Sequence, residues 1–148
     1  MNLSAEALAD TGFRHALTQL LKSYPDVCKR LLFEVPEYGV FRHFDAFREL
    51  ARSLKEMGCR IGIEYFGQRF AESDKLSDLG LDYIKVHPSY VRGITQNTGN
   101  QEFLKGLCKI AHSIGIQVIA LGVESASDLP LLTALGFDGA TGPGVKQA

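Results

Sequence analysis

One local pattern recurs along the chain and limits the folds open to it. An amphipathic stretch closes on a glycine, and a short apolar run of β type follows at once. The pattern occurs at Met57-Gly58 before CRIGIEYF, Leu79-Gly80 before LDYIKV, Ile114-Gly115 before IQVIAL and Leu135-Gly136 before FDGAT. Glycine just past a helix end adopts the left-handed conformation without steric cost, so each site reads as a helix stop leading into a strand. The stretches before the stops keep the helical period. Phe47, Leu50, Leu54 and Met57 share one face, as do Leu104, Leu107, Ala111 and Ile114, and an earlier helix shows Phe13, Ala16, Leu17, Leu20 and Leu21. The runs LLFEV, RIGIEYF, YIKV and QVIAL are nearly continuous apolar segments, as parallel strands covered on both faces are. With a strand ending at Asn2-Leu3 and a short last one near 138–141, about six strands are expected.

Alternating βα units build either an open doubly wound sheet or a βα barrel. A full barrel takes eight strands and typically about 250 residues, against 148 here. The expectation is therefore an α/β fold, a partial TIM-like βα barrel lacking its first strands, with residues 1–148 as one domain.

Charge and cysteine usage narrow the function classes. Lys+Arg is 16 against Asp+Glu 17, with the signs mixed along the chain, so no basic stripe exists for a duplex and no DNA partner is expected. Cys28, Cys59 and Cys108 form no CxxC pair and no zinc spacing; they read as core thiols of a reduced, cytoplasmic compartment. No apolar run is long enough to span a bilayer and no signal peptide is visible, which leaves room for a membrane segment elsewhere in a longer parent. His15, His43 and His112 show no ligand spacing, and Tyr38, Phe41, Phe44 and Phe47 read as helix packing.

Barrels place their chemistry at the carboxyl ends of the strands. Those ends carry Asn2, Glu34, Glu64, Lys85 with His87, Glu124 and Thr141. One strand-end glutamate alone is usually a paired core residue, whereas a polar residue on nearly every strand points to a binding site.

The strand-end blocks are MNLS at 1–4, EVPE at 34–37, EYFGQRF at 64–70, KVH at 85–87, LGVES at 121–125 and TGP at 141–143. In this order they resemble the EAL domain family of cyclic-di-GMP phosphodiesterases, whose motifs read V-N-L-S, E-I-T-E, D-D-F-G-T-G-Y, K-I-D, E-G-V-E-T and Q-G-Y. The resemblance covers the whole chain as the C-terminal part of an EAL domain, without the segment that holds E-A-L and its nearby Arg. It implies a site in which two divalent cations on Asn, Glu and Asp oxygens activate the attacking water and clamp the leaving oxygen.

Asn2 and Glu34 match metal-ligand positions. Glu64 stands for the first Asp of D-D, Tyr65 for the second, His87 for the Asp of K-I-D, Leu121 for the first Glu of E-G-V-E and Thr141 for the Gln of Q-G-Y. A phenol is a poor Mg²⁺ ligand and imidazole suits Zn or Cu better, and losing one general base costs about 10²–10⁴ in rate. The resulting expectation is a degenerate phosphodiesterase that is not an enzyme. It has no catalytic residue, metal or cofactor, and serves as a cyclic-di-GMP receptor with Asn2, Glu34, Glu64, Lys85 and Glu124 facing the ligand. Two readings of Lys85 stand: a phosphate-side cation, or the partner of a strand-end glutamate.

FGQRF replaces a loop that in the family couples site to dimer contact, and Glu37 matches the Glu that restrains it. Glu37, Phe66, Gly67 and Arg69 are accordingly expected at the loop and dimer contact, with Phe66 open to a plain core reading. The departures resemble degenerate GGDEF–EAL receptors of the LapD type. That implies the cytoplasmic domain of an inner-membrane protein controlling biofilm adhesion, with a second EAL domain in a homodimer and the remaining GGDEF and membrane portions as partners. The missing strands would open one wall of the pocket and weaken ligand binding. Two alternatives remain: a pure dimerisation or protein-interaction module without nucleotide binding, and a residual metal-dependent phosphodiesterase.

Overall fold

A computed structural model of the chain describes residues 1–145. They form two compact units, one of Met1–Glu64 with Glu72–Asp82, the other of Tyr65–Ala71 with the chain from Tyr83 onward. In the first unit, Ser4 accepts from the Ala7 N–H to cap α1 (Ala5–Ala9), and Asp10 accepts from the Phe13 N–H to cap α2 (Thr11–Lys22). There follow α3 (Pro25–Cys28), β1 (Leu32–Pro36), α4 (Glu37–Arg42), α5 (Phe44–Glu56) and β2 (Arg60–Phe66), whose last residues enter the second unit. A 3₁₀ stretch, Phe70–Asp78, leads to β3 (Tyr83–Val86), then α6 (Pro88–Val91), α7 (Thr98–Ser113), β4 (Gln117–Ala120), α8 (Leu129–Leu135) and β5 (Gly139–Ala140).

The strands are parallel and follow chain order, β1-β2-β3-β4-β5, which is the α/β order of a partial TIM-like barrel. The five strands are joined at Asn2 by a single parallel bridge to Glu34, not by a sixth strand. All four glycine stops carry positive φ, from +67° at Gly80 to +112° at Gly136. The Gly80 stop ends the 3₁₀ stretch, not an α-helix.

The helical faces hold in part. Phe47, Leu50 and Leu54 on α5 are buried, as are Leu104, Leu107 and Ala111 on α7. On α2 only Leu17 and Leu21 are buried, while Phe13 and Leu20 are 38% and 58% exposed. An i,i+4 pair is a narrow stripe, enough for the contacts α2 makes with α1, α3 and α5. The three cysteines are free and buried. Burial, with Cys28 beside it, raises Cys59 to about 11, and burial with Asp138 nearby raises Cys108 to about 12, so both stay thiols at neutral pH.

The same clamp appears once in each unit at the amino ends of the strands. Asp82 donates its N–H to the Ile61 carbonyl at 2.8 Å while its carboxylate accepts from the Ile61 N–H at 2.8 Å and from Lys55 Nζ at 2.8 and 3.0 Å. Asp138 repeats this on Val118, with 2.8 Å in both directions, and takes His112 Nε2 at 2.6 Å in place of the lysine. Each aspartate therefore reads both backbone groups of one residue and ties it to the last turn or so of the preceding helix.

Removing a carboxylate that satisfies a part-buried N–H costs about 1–3 kcal/mol. Asp82→Ala should lower unfolding free energy by that amount in a urea titration.

At Asp138, burial pushes the carboxyl upward, but the bonds from His112 and the Val118 N–H, with the His112 charge, outweigh it and the net shift is down. A lowered folded pKa gives stability that is fully present above the ordinary carboxylate value and is lost as pH falls through the folded one. The stability difference between wild type and Asp138→Asn should therefore shrink below about pH 4, read from urea midpoints across pH.

Candidate ligand-binding site

In a parallel pair, residues in register put their side chains on the same face, and so do residues two apart along one strand. In the first unit Asn2 bridges Glu34, Glu34 is in register with Gly62, and Glu64 lies two residues beyond Gly62. Asn2, Glu34 and Glu64 thus share one sheet face, as their strand-end positions in the sequence require. Backbone bonds hold the segment there: the Leu3 N–H donates to the Glu34 carbonyl at 2.8 Å, and the Glu34 N–H to the Met1 carbonyl at 2.9 Å. Glu34 is buried, Glu64 half-buried and Asn2 exposed. Glu37 is buried in the first turn of α4, where a carboxylate complements the helix N-terminus.

In the second unit Lys85 is in register with Ile119, which is in register with Gly139. His87 follows β3 directly as the N-cap of α6, and Lys85 Nζ lies 5.7 Å from the centroid of the Tyr83 ring. Glu124 is set apart from them, in the exposed loop after β4, 3.8 Å from Arg92 Nε. Both partners are about two-thirds exposed, so the pair contributes little to folding and is easily rearranged. Arg92 lies in no motif, and nothing in the sequence announces it.

The loop after β2 is built on aromatic packing. Phe66 is fully buried, so its ring is core and offers no surface to a partner. Arg69 and Gln68 are the exposed loop residues. Gly67 lies against Tyr90, whose ring a Cβ at position 67 would overlap. Tyr90 in turn packs on Phe103 at 5.1 Å between centroids, and Phe103 on Phe70 at 5.1 Å. Tyr65 has φ +56°, the one non-glycine in the left-handed region among the described residues. Its ring is 47% exposed and lies 5.7 Å from the His87 ring at 58°.

The donor chemistry of the second unit does not fit a pair of hard divalent cations. Where the family pattern has carboxylates, this unit offers a phenol at Tyr65 and an imidazole at His87, and His87 Nδ1 already accepts from the Ser89 N–H at 3.1 Å. Among the described residues, no group of three or more His, Cys, Asp or Glu is placed to hold a metal ion.

Parallel βα order, with polar side chains at the strand ends, is the architecture of a partial βα barrel. The chain belongs to the EAL domain family, which it matches over residues 1–148. It is 28% identical over 138 residues to the cyclic di-GMP phosphodiesterase PdeF of Escherichia coli, covering 93% of this chain and 18% of that protein. It is 28% identical to the FimX EAL domain of Pseudomonas aeruginosa bound to c-di-GMP, at a TM-score of 0.83 over 99% of this chain and 60% of that one. The apo LapD S helix-GGDEF-EAL structure of Vibrio cholerae shares the fold at a TM-score of 0.89 and 20% identity, over 96% of this chain and 35% of that one. The chain spans about a fifth of the curated relatives it first matches.

These relatives correct one expectation. Loss of carboxylates implies loss of enzyme character, yet PdeF and further relatives, such as PdeR of the same bacterium, are named cyclic di-GMP phosphodiesterases. Departures in a ligand set weigh only the positions matched to motifs, whereas kinship is carried by the whole chain. The expectation of a non-enzyme is therefore withdrawn.

The Gly67–Tyr90 contact is testable. Gly67→Ala should destabilise the protein by about 1–3 kcal/mol through overpacking, and Tyr90→Ala should remove most of that penalty in a double-mutant cycle read from urea melts.

Proposed function

We propose that this chain handles cyclic-di-GMP as part of an EAL domain in a longer signalling protein, contacting the dinucleotide with residues at the strand carboxyl ends. The observation that carries the reading is the 28% identity, over nearly the whole chain, to an EAL domain whose structure is a c-di-GMP complex. The ligand presents phosphodiesters, which call for cations and N–H donors, and guanine faces, which call for flat side chains. The second unit offers Lys85 on β3 with His87 just past its end, Glu124 in the loop after β4 and the loosely paired Arg92 just after α6. The first unit offers its own set in Asn2, Glu34 and Glu64.

No helix among the described residues is long and apolar enough to cross a membrane. The proposal extends to a place beside a GGDEF domain on the cytoplasmic side of a bacterial inner membrane, with a second EAL domain as partner; it rests on the strand-end motifs, since the GGDEF-EAL neighbour shares only the fold. In this setting ligand occupancy is the signal that the longer protein reads out.

The test is titration calorimetry of cyclic-di-GMP into the chain, with Mn²⁺ and with EDTA, followed by chromatography of the nucleotide. Heat of binding is expected. Lys85→Met should weaken it about tenfold or more, the worth of one charge-assisted bond to phosphate. Linear product would extend the relatives' named activity to this chain. Absence of heat in both conditions overturns the proposal.

A further inference from the structure

Tyr65 and His87 stand side by side at the carboxyl ends of β2 and β3, and their chemistry points to a ligand. The backbone at Tyr65 is left-handed at φ +56°, a conformation that bulky L-residues avoid and that persists where the surroundings impose it, often at functional sites. The two residues that follow impose it. Phe66 is anchored in the core, its carbonyl accepting from the His87 N–H at 2.9 Å, and Gly67 is pressed against Tyr90. Tyr65 gains little packing in return: its ring is 47% exposed, and its phenol has no hydrogen-bond partner among the described residues.

His87 is fixed in a complementary way. Its Nδ1 accepts from the Ser89 N–H at 3.1 Å and lies 2.8 Å from Ser89 Oγ. In the neutral ring the proton must then sit on Nε2, which has no protein partner among the described residues. A metal at Nε2 would require that proton to move to Nδ1, breaking the Ser89 N–H bond. Nε2 is thus set up as a donor and not as a ligand. The Tyr90 ring stands edge-on to His87 at 6.5 Å and 89°, backed by Phe103, so the platform beneath the pair is stiff.

We infer that Tyr65 and His87 form a metal-independent clamp for one nucleotide of a cyclic dinucleotide. The exposed Tyr65 ring stacks on the guanine, and His87 Nε2–H donates to a neighbouring acceptor, a phosphate or base oxygen. This deepens the cyclic-di-GMP reading and rests on it. The two rings are tilted by 58°, so they do not stack on each other and the exposed Tyr65 ring remains open to a base. Base stacking on an aromatic side chain is sequence-tolerant and needs no cation.

The experiment is calorimetry of cyclic-di-GMP in EDTA into wild type, Tyr65→Phe, Tyr65→Asn and His87→Leu, with thermal melts of each. Asn tolerates the left-handed backbone, so Tyr65→Asn removes the ring without disturbing the fold and should melt no lower than wild type. Tyr65→Asn should bind roughly tenfold weaker or worse, Tyr65→Phe nearly as well as wild type, and His87→Leu more weakly. If wild type binds and Tyr65→Asn binds equally well, the clamp is wrong while the cyclic-di-GMP reading stands. If wild type binds with Mn²⁺ but not in EDTA, the clamp is again wrong. If wild type binds in neither, the cyclic-di-GMP reading itself falls.

Discussion

Register is the constraint on which the rest of this structure depends, because a one-residue slip of a parallel strand moves every side chain to the opposite face. Asp82 and Asp138 hold it. Each grips the N–H and the carbonyl of a single residue, Ile61 or Val118, at the start of a strand. From Ile61 the alternation runs to Ile63 on one face and through Gly62 to Glu64 on the other. From Val118 it runs to Ala120 on one face, and through Ile119, in register with Lys85, on the other. A carboxylate at the amino end of each unit's strands thus decides which side chains share a face at the carboxyl end. Lys55 and His112, which complete the clamps, sit at the ends of α5 and α7, so helix placement and strand register are fixed by the same bonds.

Much of this is legible in the sequence. The four glycine stops are left-handed as their cap chemistry requires, the β runs are strands, and Asn2, Glu34 and Glu64 share a face, because period and capping are local properties. What the sequence hides is non-local. The apolar residues of α2 give no way to tell that only Leu17 and Leu21 are buried. Asn2-Leu3 has strand composition but finds one bridge. The clamps do leave a signal, the doublet LGLD at 79–82 and LGFD at 135–138. The helix stop accounts for the glycine of each, but the aspartate two residues on acquires its meaning only from the strand residue it grips.

The strand-end chemistry shows the limit of treating motifs as ligand sets. A substituted carboxylate removes one donor from the family's geometry; it does not say what the new side chain does. His87 illustrates this. As a metal ligand it is a poor substitute for Asp, yet its Nδ1 is engaged by Ser89, so the ring presents an N–H where a carboxylate would have presented an acceptor. The polarity of the position is reversed from accepting to donating, which suits an anionic ligand and not a cation.

Tyr65 extends the same reasoning to the backbone. The left-handed backbone at Tyr65, near the end of β2, is forced by its neighbours, the buried Phe66 and the close approach of Gly67 to Tyr90, and not by Tyr65 itself. Asp, the residue type the family pattern has there, tolerates that region through local hydrogen bonds. Tyrosine has no such relief, and a ring nearly half exposed recovers little of the cost by burial. A side chain that strains the backbone and packs on little finds its compensation outside the chain's own contacts. The flat surface it presents beside the His87 N–H is what a nucleobase with an adjacent acceptor would complete.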